Sequence, residues 1–216
     1  MKKNLLFLYP MISIVLLLGV EQGLTVSYVT KTMAKVLLFL GIPLILFYKK
    51  GFSFLHFRKV DRQSSSASII LGITIVTIIV ISFIKLRTFI DIDTLLSSLA
   101  EIGVTASTFP FVAAYILFGN SLLEEFFFRG LLPSFFNRLW CRILIPSFLF
   151  ALYHITIFLT WFSLPLLSIA VFGLWIGGII FQLVNEKSRT ILPSWTIHIF
   201  ADIGVLLVGV YIFYIY

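Results

Sequence analysis

The sequence is poor in cysteine and in charged residues. Its 216 residues include one cysteine, Cys141, and only 12% of them are Asp, Glu, Lys or Arg. A single cysteine excludes an intrachain disulfide framework and a cysteine-based metal site. With 60% hydrophobic residues and a mean hydropathy of +1.11, the composition is far from that of a soluble globular domain, so a lipid bilayer is the expected solvent.

Long apolar runs follow one another along the chain. A run of about 18 or more apolar residues is long enough to cross ~30 Å of hydrocarbon as a helix. We therefore predict an all-α, polytopic bundle of about seven transmembrane helices. The predicted helices lie near residues 4–20, 33–48, 67–84, 108–132, 143–162, 164–184 and 190–213. In the sixth helix, Gly173 and Gly177 have the small-x-x-x-small spacing that permits close helix packing.

Lysine and arginine gather in alternate loops. They are Lys2 and Lys3, then Lys49, Lys50, Arg58, Lys59 and Arg62, then Arg138 and Arg142, then Lys187 and Arg189. By the positive-inside rule these loops are cytoplasmic, so we predict a multi-pass protein of the cell membrane with a cytoplasmic N-terminus. Because the basic residues are scattered beside apolar spans, no nucleic-acid partner is expected. His56, in the polar stretch 51–66, is interpreted as an interfacial residue outside any site.

Ionisable side chains occur inside three of the predicted spans. They are Glu124, Glu125 and Arg129 in the fourth span, His154 in the fifth, and His198 and Asp202 in the seventh. An ionisable group at the bilayer centre costs at least ~2.5 to 3.5 kcal/mol, so those that persist usually face the protein interior and have a function. Singly, each has a structural explanation: Glu124 can extend to the headgroups, and a lone buried histidine is more often a hydrogen-bonding structural residue.

The spacing of these residues predicts which of them share a helix face. Glu125 and Arg129 are four apart, so we predict a supporting ion pair between them. Glu124 points about 100° away from Glu125 and is expected to be free to accept a proton from water. His198 and Asp202 are also four apart and share one face of their helix.

Taken together, these side chains favour hydrolysis by an activated water. A glutamate and a histidine position and deprotonate the water, while a second histidine and an aspartate polarise a carbonyl, stabilise an oxyanion or complete a metal site. The sequence contains no Gly-x-Ser-x-Gly, no Gly-x-x-x-x-Gly-Lys and no His-Glu-x-x-His pattern. Glu124, His154, His198 and Asp202 are acceptable both as ligands of a divalent metal such as zinc and as metal-free acid and base groups, so the cofactor stays open.

The motifs and their order resemble those of a known family. They are Glu124-Glu125-x-x-x-Arg129, Phe150-x-x-x-His154 and His198-x-x-x-Asp202. This pattern is similar to that of the CPBP family (CAAX proteases and bacteriocin-processing enzymes, also called Abi) of intramembrane peptidases. The resemblance covers about residues 109–209. It divides the chain into N-terminal helices without a motif, residues 1–106, and a catalytic core, residues 107–216.

The resemblance implies an all-helical membrane fold with a cavity open to the cytosol. It assigns Glu124 and His154 to water activation, and His198 with the residue four positions later to the oxyanion or metal side. Many members have asparagine at that later position, whereas this chain has Asp202. An ionised aspartate accepts hydrogen bonds but donates none, which favours an orienting or metal-binding role for Asp202.

The implied function is an intramembrane endopeptidase that acts on a peptide or membrane-protein substrate, in bacteriocin processing or self-immunity. The alternative is a non-catalytic scaffold or immunity protein of the same family that binds a partner, since family membership does not guarantee activity. Retention of every motif position favours the enzyme. A transporter that relays protons through Glu124, His154 and Asp202 is less favoured, because the sequence shows no internal repeat and no paired broken helices.

Overall fold

The computed structural model of the chain describes residues 3–24, 26–55, 60 and 62–216. The structure is 86% helical, and its described residues contain no strand, so the predicted all-α bundle is confirmed. His56, together with Lys2, Arg58 and Lys59 of the predicted cytoplasmic loops, lies outside the described residues.

Eight helices of very different length build the described part of the chain. In chain order they are α1 (Lys3–Gly23), α2 (Tyr28–Phe47), α3 (Arg62–Leu86), α4 (Ile92–Glu101), α5 (Phe109–Phe135), α6 (Leu139–Phe158), α7 (Leu164–Ser188) and α8 (Leu192–Tyr214). Within the described residues, six of them, α2, α3 and α5 to α8, are long and apolar enough to cross a membrane, and α1 contributes the shorter apolar stretch Leu8–Gly23. The chain is a multi-pass membrane protein.

Helix α4 lies where the sequence predicts a loop. Its 10 residues are too few to cross a bilayer, and it packs Ile92 and Leu95 against Ile212 of α8. Asp91 caps the helix, because its carboxylate accepts hydrogen bonds from the Thr94 backbone N–H at 3.0 Å and the Thr94 hydroxyl at 2.8 Å. These hydrogen bonds, the backbone one first, lower the pKa of Asp91 below its usual value.

Wide helical turns interrupt α2 and α5. The segments Leu37–Gly41, Tyr115–Asn120 and Glu125–Leu131 are π-helical. The last two flank the short α-helical segment Ser121–Glu124. π-Helical segments are rare in proteins, and those that do occur are often found at functional sites. They change which residues of α5 face each neighbouring helix, and the i, i+4 rule of a regular α-helix therefore does not apply unchanged around Glu124.

An aromatic cluster fills the centre of the bundle. Phe127 and Phe128 of α5 are fully buried, and Phe127 stacks on Phe39 of α2 with ring centroids 4.3 Å apart. Tyr153 of α6 packs edge-on against Phe39 at 5.2 Å. Around this cluster α6 packs on α7 and α1, and α8 packs on α3. The cluster holds α2, α5 and α6 together directly beside Glu124 and Glu125.

The expected close packing at Gly173 and Gly177 is wrong. A β-carbon added at either position would meet nothing within 4 Å, so these two glycines permit no helix contact. The close approach is made by the next residue, Gly178, where a β-carbon would lie 3.0 Å from Cβ of Ser147. Because Gly178 is the glycine of α7 that faces α6, Gly177 and Gly173 point away from that contact.

Gly130 offers a test of the packing between α5 and the segment that follows α2. A β-carbon at this position would overlap the ring of Phe54, which lies in the segment after α2. We expect Gly130→Ala to destabilise the fold by about 1–3 kcal/mol, the usual cost of overpacking, and to lower the melting temperature. Gly177→Ala is the matched control and should leave the melting temperature unchanged or slightly higher, since alanine favours helix. Equal melting temperatures of the two variants would contradict the packing of Phe54 on α5.

Candidate active site

Glu124 lies at the centre of the candidate site. Its side chain is 1% exposed, and its Oε2 lies 3.9 Å from Nε2 of His154 and 3.7 Å from Nε2 of His198. The structure therefore brings together three residues that lie on three different helices, α5, α6 and α8. The expectation that Glu124 is free of partners is wrong, because its Oε1 accepts a hydrogen bond from Nδ2 of Asn120 at 3.0 Å and lies 3.4 Å from Nζ of Lys35.

The backbone of α6 orients His154. Its Nδ1 lies 2.8 Å from the carbonyl oxygen of Phe150, one turn earlier. Because a carbonyl oxygen only accepts, Nδ1 carries the proton, and Nε2 of the neutral ring is an acceptor directed towards Glu124. The rings of Phe150 and Tyr153 pack on the imidazole at 4.5 and 5.0 Å and restrict its rotation.

His198 is held between three carboxylates. Its Nδ1 lies 2.9 Å from Oε1 of Glu125, and its Nε2 faces Glu124 as well as Oδ1 of Asp202, which is 3.8 Å away. A carboxylate oxygen accepts, so Nδ1 of His198 donates in this contact. Oδ2 of Asp202 is buried and has no hydrogen-bond partner among the described residues. As predicted, His198 and Asp202 share one face of α8.

Glu125 does not form the predicted ion pair with Arg129. No Arg129 nitrogen lies within 4.0 Å of its carboxylate in the described structure. Glu125, which is fully buried, instead accepts hydrogen bonds from His198 and, through Oε2, from the hydroxyl of Ser194. Both partners lie on α8, so the neighbouring helix and not the next turn of α5 holds this carboxylate.

The tight turn between α7 and α8 places Ser194. Asn185 of α7 donates from Nδ2 to the Ser194 hydroxyl at 2.6 Å and accepts from the Ser194 backbone N–H at 3.2 Å. Arg189, at the end of α7, adopts a left-handed conformation with φ of 58° and donates its backbone N–H to the carbonyl of Asn185 at 2.7 Å. Asn185, Ser194 and Glu125 thus connect α7, α8 and α5 in one chain of hydrogen bonds.

Arg129 lies against aromatic rings. Its Cζ is 4.3 Å from the ring centroid of Phe150 and 5.4 Å from that of Phe181, which is cation–π geometry. The residue is 3% exposed, and its guanidinium nitrogens have no hydrogen-bond partner in the part of the chain that the structure describes. Both rings also contact the imidazole of His198, with centroids 5.9 Å away for Phe150 and 5.6 Å away for Phe181.

Several residues of the site were missed by the sequence analysis. They are Lys35, Asn120, Asn185 and Ser194. Lys35 carried a usable signal, because a lysine within the apolar run of α2 bears the same insertion cost that drew attention to Glu124. Asn120, Asn185 and Ser194 carried none, since uncharged polar residues are common in membrane helices and their contacts depend on how the helices are rotated.

The residues proposed as metal ligands do not meet the geometric requirement for an ion. Among the described residues, no group of three or more His, Cys, Asp or Glu side chains is arranged so that it could hold a metal. The ring nitrogens Nδ1 of His154 and His198 are engaged by Phe150 and Glu125, so Nε2 is the nitrogen of each ring that faces Glu124.

A cavity of about 420 Å³ lies apart from these residues. It is lined by apolar side chains of α1, α5, α6 and α7, among them Pro10, Leu149 and Trp175. None of the ionisable residues of the candidate site lines it. This cavity is therefore separate from the candidate active site.

Fold and site together define a class: a multi-pass membrane protein with a buried glutamate that faces two histidines from neighbouring helices. The family model described as type II CAAX prenyl endopeptidase Rce1-like matches residues 106–204. The matched family is the CPBP family, a family of CAAX-type intramembrane proteases, and this match confirms the resemblance. No curated protein and no solved structure matches the chain.

Proposed function

We propose that the chain is an intramembrane endopeptidase that hydrolyses a peptide bond with a water activated by Glu124 and His154. The observation that carries this proposal is the convergence of Glu124 Oε2 with the Nε2 atoms of His154 and His198 in a buried site. The family supports protease activity in general. The roles of the individual residues rest on the geometry.

The spacing of the acceptors suits a bound water. Oε2 of Glu124 and Nε2 of His154 are 3.9 Å apart, which is too long for a direct hydrogen bond but short enough for one water to contact both at about 2.8 Å. Both atoms are acceptors, so this water donates both of its protons to them and turns its lone pairs away. A substrate carbonyl on the side of these lone pairs would then be attacked by the water oxygen, and Glu124 would take a proton from the water.

His198 is suited to the carbonyl oxygen of the substrate. Glu125 fixes the ring through Nδ1, which leaves Nε2 on the side of Glu124. The doubly protonated imidazolium donates from Nε2 to a developing oxyanion, and such a preorganised donor stabilises the tetrahedral intermediate. Asp202, 3.8 Å from Nε2, cannot donate when ionised, so we assign it to the orientation of His198.

We place the end of α5 near Pro133 on the cytoplasmic side of the cell membrane. Arg142 at the start of α6 and Glu186 at the end of α7 form an ion pair of 2.9 Å, so these helix ends are neighbours. Arg138, Lys187 and Arg189 flank the same ends, and basic residues favour the cytoplasmic side. With α1 counted as a seventh crossing helix, the N-terminus is cytoplasmic as well. The substrate class we propose is a peptide or a membrane protein.

The enzyme proposal is tested with purified protein in proteoliposomes and two internally quenched peptides. Both end in a CAAX sequence, and one of them is prenylated, which is the substrate class that the family description names. Wild type should cleave at least one peptide, and His154→Ala and His198→Ala should each lower kcat by about 10²- to 10⁴-fold.

Thr196→Ala is the control on α8, because among the described residues the Thr196 hydroxyl donates a hydrogen bond to the carbonyl of Leu192 in its own helix, at 3.0 Å, and to no residue of the site. This variant should cleave like wild type. Equal cleavage by wild type, His154→Ala and His198→Ala would show that neither histidine takes part in the reaction. Binding of the peptides by wild type without any cleavage would favour the non-catalytic scaffold.

A further inference from the structure

We propose that Lys35, on a helix outside the segment matched by the family model, is a positioning residue of the active site. The inference rests on the proposed function, because it assigns Lys35 to holding Glu124 in the orientation that activates the water. It also gives the N-terminal helices, which carry no family motif, a direct part in the site.

Lys35 is held deep in the bundle. It is the eighth of the 20 residues of α2, and its side chain is 12% exposed. A lysine at such a depth carries a large insertion cost and usually faces a partner in the protein interior. Its Nζ donates to Oδ1 of Asn120 at 2.6 Å and lies 5.0 Å from the ring centroid of Tyr153. The ammonium therefore points into the bundle and not along the helix towards the headgroups.

Lys35, Asn120 and Glu124 form a triangle of polar contacts. Asn120 donates from Nδ2 to Oε1 of Glu124 at 3.0 Å, and Lys35 approaches the same oxygen at 3.4 Å. Because Lys35 occupies Oδ1 of Asn120, the amide of Asn120 is fixed with its NH₂ group towards Glu124. Both donors contact Oε1, which leaves Oε2 for the water and the two histidines.

Lys35 is also the counter-ion of Glu124. In the described structure no other lysine or arginine nitrogen lies within 4.0 Å of this carboxylate, which is 1% exposed. A buried charge without a partner is strongly unfavourable, and a carboxylate that rotates away from its histidines no longer holds the water in a reactive position. Loss of Lys35 should therefore reduce the rate of the chemical step and leave substrate binding nearly unchanged.

Lys31, one turn earlier on the same helix, provides a matched control. Its Nζ pairs with Oε2 of Glu21 at 2.9 Å and accordingly links α2 to α1 without contacting the active site. Lys31→Met removes a partly buried ammonium of the same kind from the same helix. Any effect that Lys35→Met shows beyond that of Lys31→Met then belongs to the contact with Asn120 and Glu124.

The kinetic test uses the proteoliposomes and the quenched peptide that wild type cleaves. Lys35→Met should lower kcat by about 100-fold, as expected for a misplaced catalytic group, with KM within about twofold of wild type. Lys35→Arg should recover part of the lost kcat because it restores a cation, and Lys31→Met should keep the kcat of wild type. Equal kcat values for Lys35→Met and Lys31→Met, or no recovery in Lys35→Arg, would overturn the inference.

A second measurement needs no substrate and separates the inference from the proposed function. Thermal unfolding is followed for Glu124→Gln, Lys35→Met and the double variant. Residues in contact are coupled, so the double variant should lose less melting temperature than the two single variants lose in sum. Additive losses overturn the inference whether or not the protein cleaves peptides. If Lys35→Met does not fold, Lys35→Gln, which keeps a donor for Asn120 without the charge, replaces it in both experiments.

Discussion

Replacing Glu124 with glutamine is expected to lower kcat by about 10²- to 10⁴-fold, the range of a general base. Glutamine has nearly the size of glutamate, and its carbonyl oxygen can still accept from Asn120 and Lys35, which contact Oε1 in the wild type. The group that then faces His154 and His198 is an NH₂ donor. It cannot take a proton from water, so hydrolysis is lost while the helices remain in place. The measurement is the cleavage rate per folded protein in proteoliposomes.

Two companion variants make the Glu124 result specific. Glu101→Gln changes an exposed glutamate at the end of α4 and should leave kcat unchanged. Glu124→Asp keeps the charge beside Lys35 but withdraws the carboxylate from both histidines by one methylene, so it should also lose most of the activity. Wild-type kcat in Glu124→Gln would show that this carboxylate is not the base.

Replacing Glu125 with alanine is expected to destabilise the fold by about 3–5 kcal/mol, the usual cost of removing one partner from a buried, charged contact. Glu125 is fully buried and accepts from Nδ1 of His198 at 2.9 Å and from the hydroxyl of Ser194. Its loss leaves Nδ1 of His198 without an acceptor, whereas the Ser194 hydroxyl keeps only the carbonyl of Ile191 at 3.1 Å, and it removes these contacts between α5 and α8. Thermal unfolding should show a large fall in melting temperature, and activity should fall too because His198 loses its orientation.

Glu186→Ala is the control for this stability measurement. Glu186 forms an ion pair with Arg142, whose side chain is 40% exposed, and accepts a hydrogen bond from Nε2 of Gln182 at 2.9 Å. Its loss should cost about 1–2 kcal/mol, less than the loss of Glu125. A Glu125→Ala variant that is no less stable than Glu186→Ala would contradict the buried network between α5 and α8.

The membrane-spanning helices could be predicted from the sequence because bilayer thickness dictates their length. The apolar runs predicted at 108–132 and 190–213 correspond to α5, Phe109–Phe135, and α8, Leu192–Tyr214. The amphipathic helix α4 could not be found in this way. With 10 residues it is too short for the hydropathy criterion, and it is held by local capping at Asp91 and by contact with α8.

Most residues of the candidate site could be singled out from the sequence, but most of their contacts could not. The cost of an ionisable group in a membrane identified Glu124, His154 and His198, and the regular helix of α8 placed Asp202 beside His198. The i, i+4 spacing rule of an α-helix gave the wrong contact for Glu125 and Arg129. That part of α5 is π-helical, and Glu125 accepts hydrogen bonds from His198 and Ser194 of α8 instead. Contacts between helices, such as that of Lys35 with Glu124, depend on helix rotation, which the sequence does not show.

The central claim is that Glu124 activates a water for peptide hydrolysis. The most direct measurement is mass spectrometry of the quenched peptide after incubation in H₂¹⁸O with wild type and with Glu124→Gln at equal amounts of folded protein. Wild type should produce two fragments with ¹⁸O in the new carboxylate, and Glu124→Gln should leave the peptide intact. Equal amounts of ¹⁸O-labelled fragments from both proteins, or intact peptide from both, would contradict it.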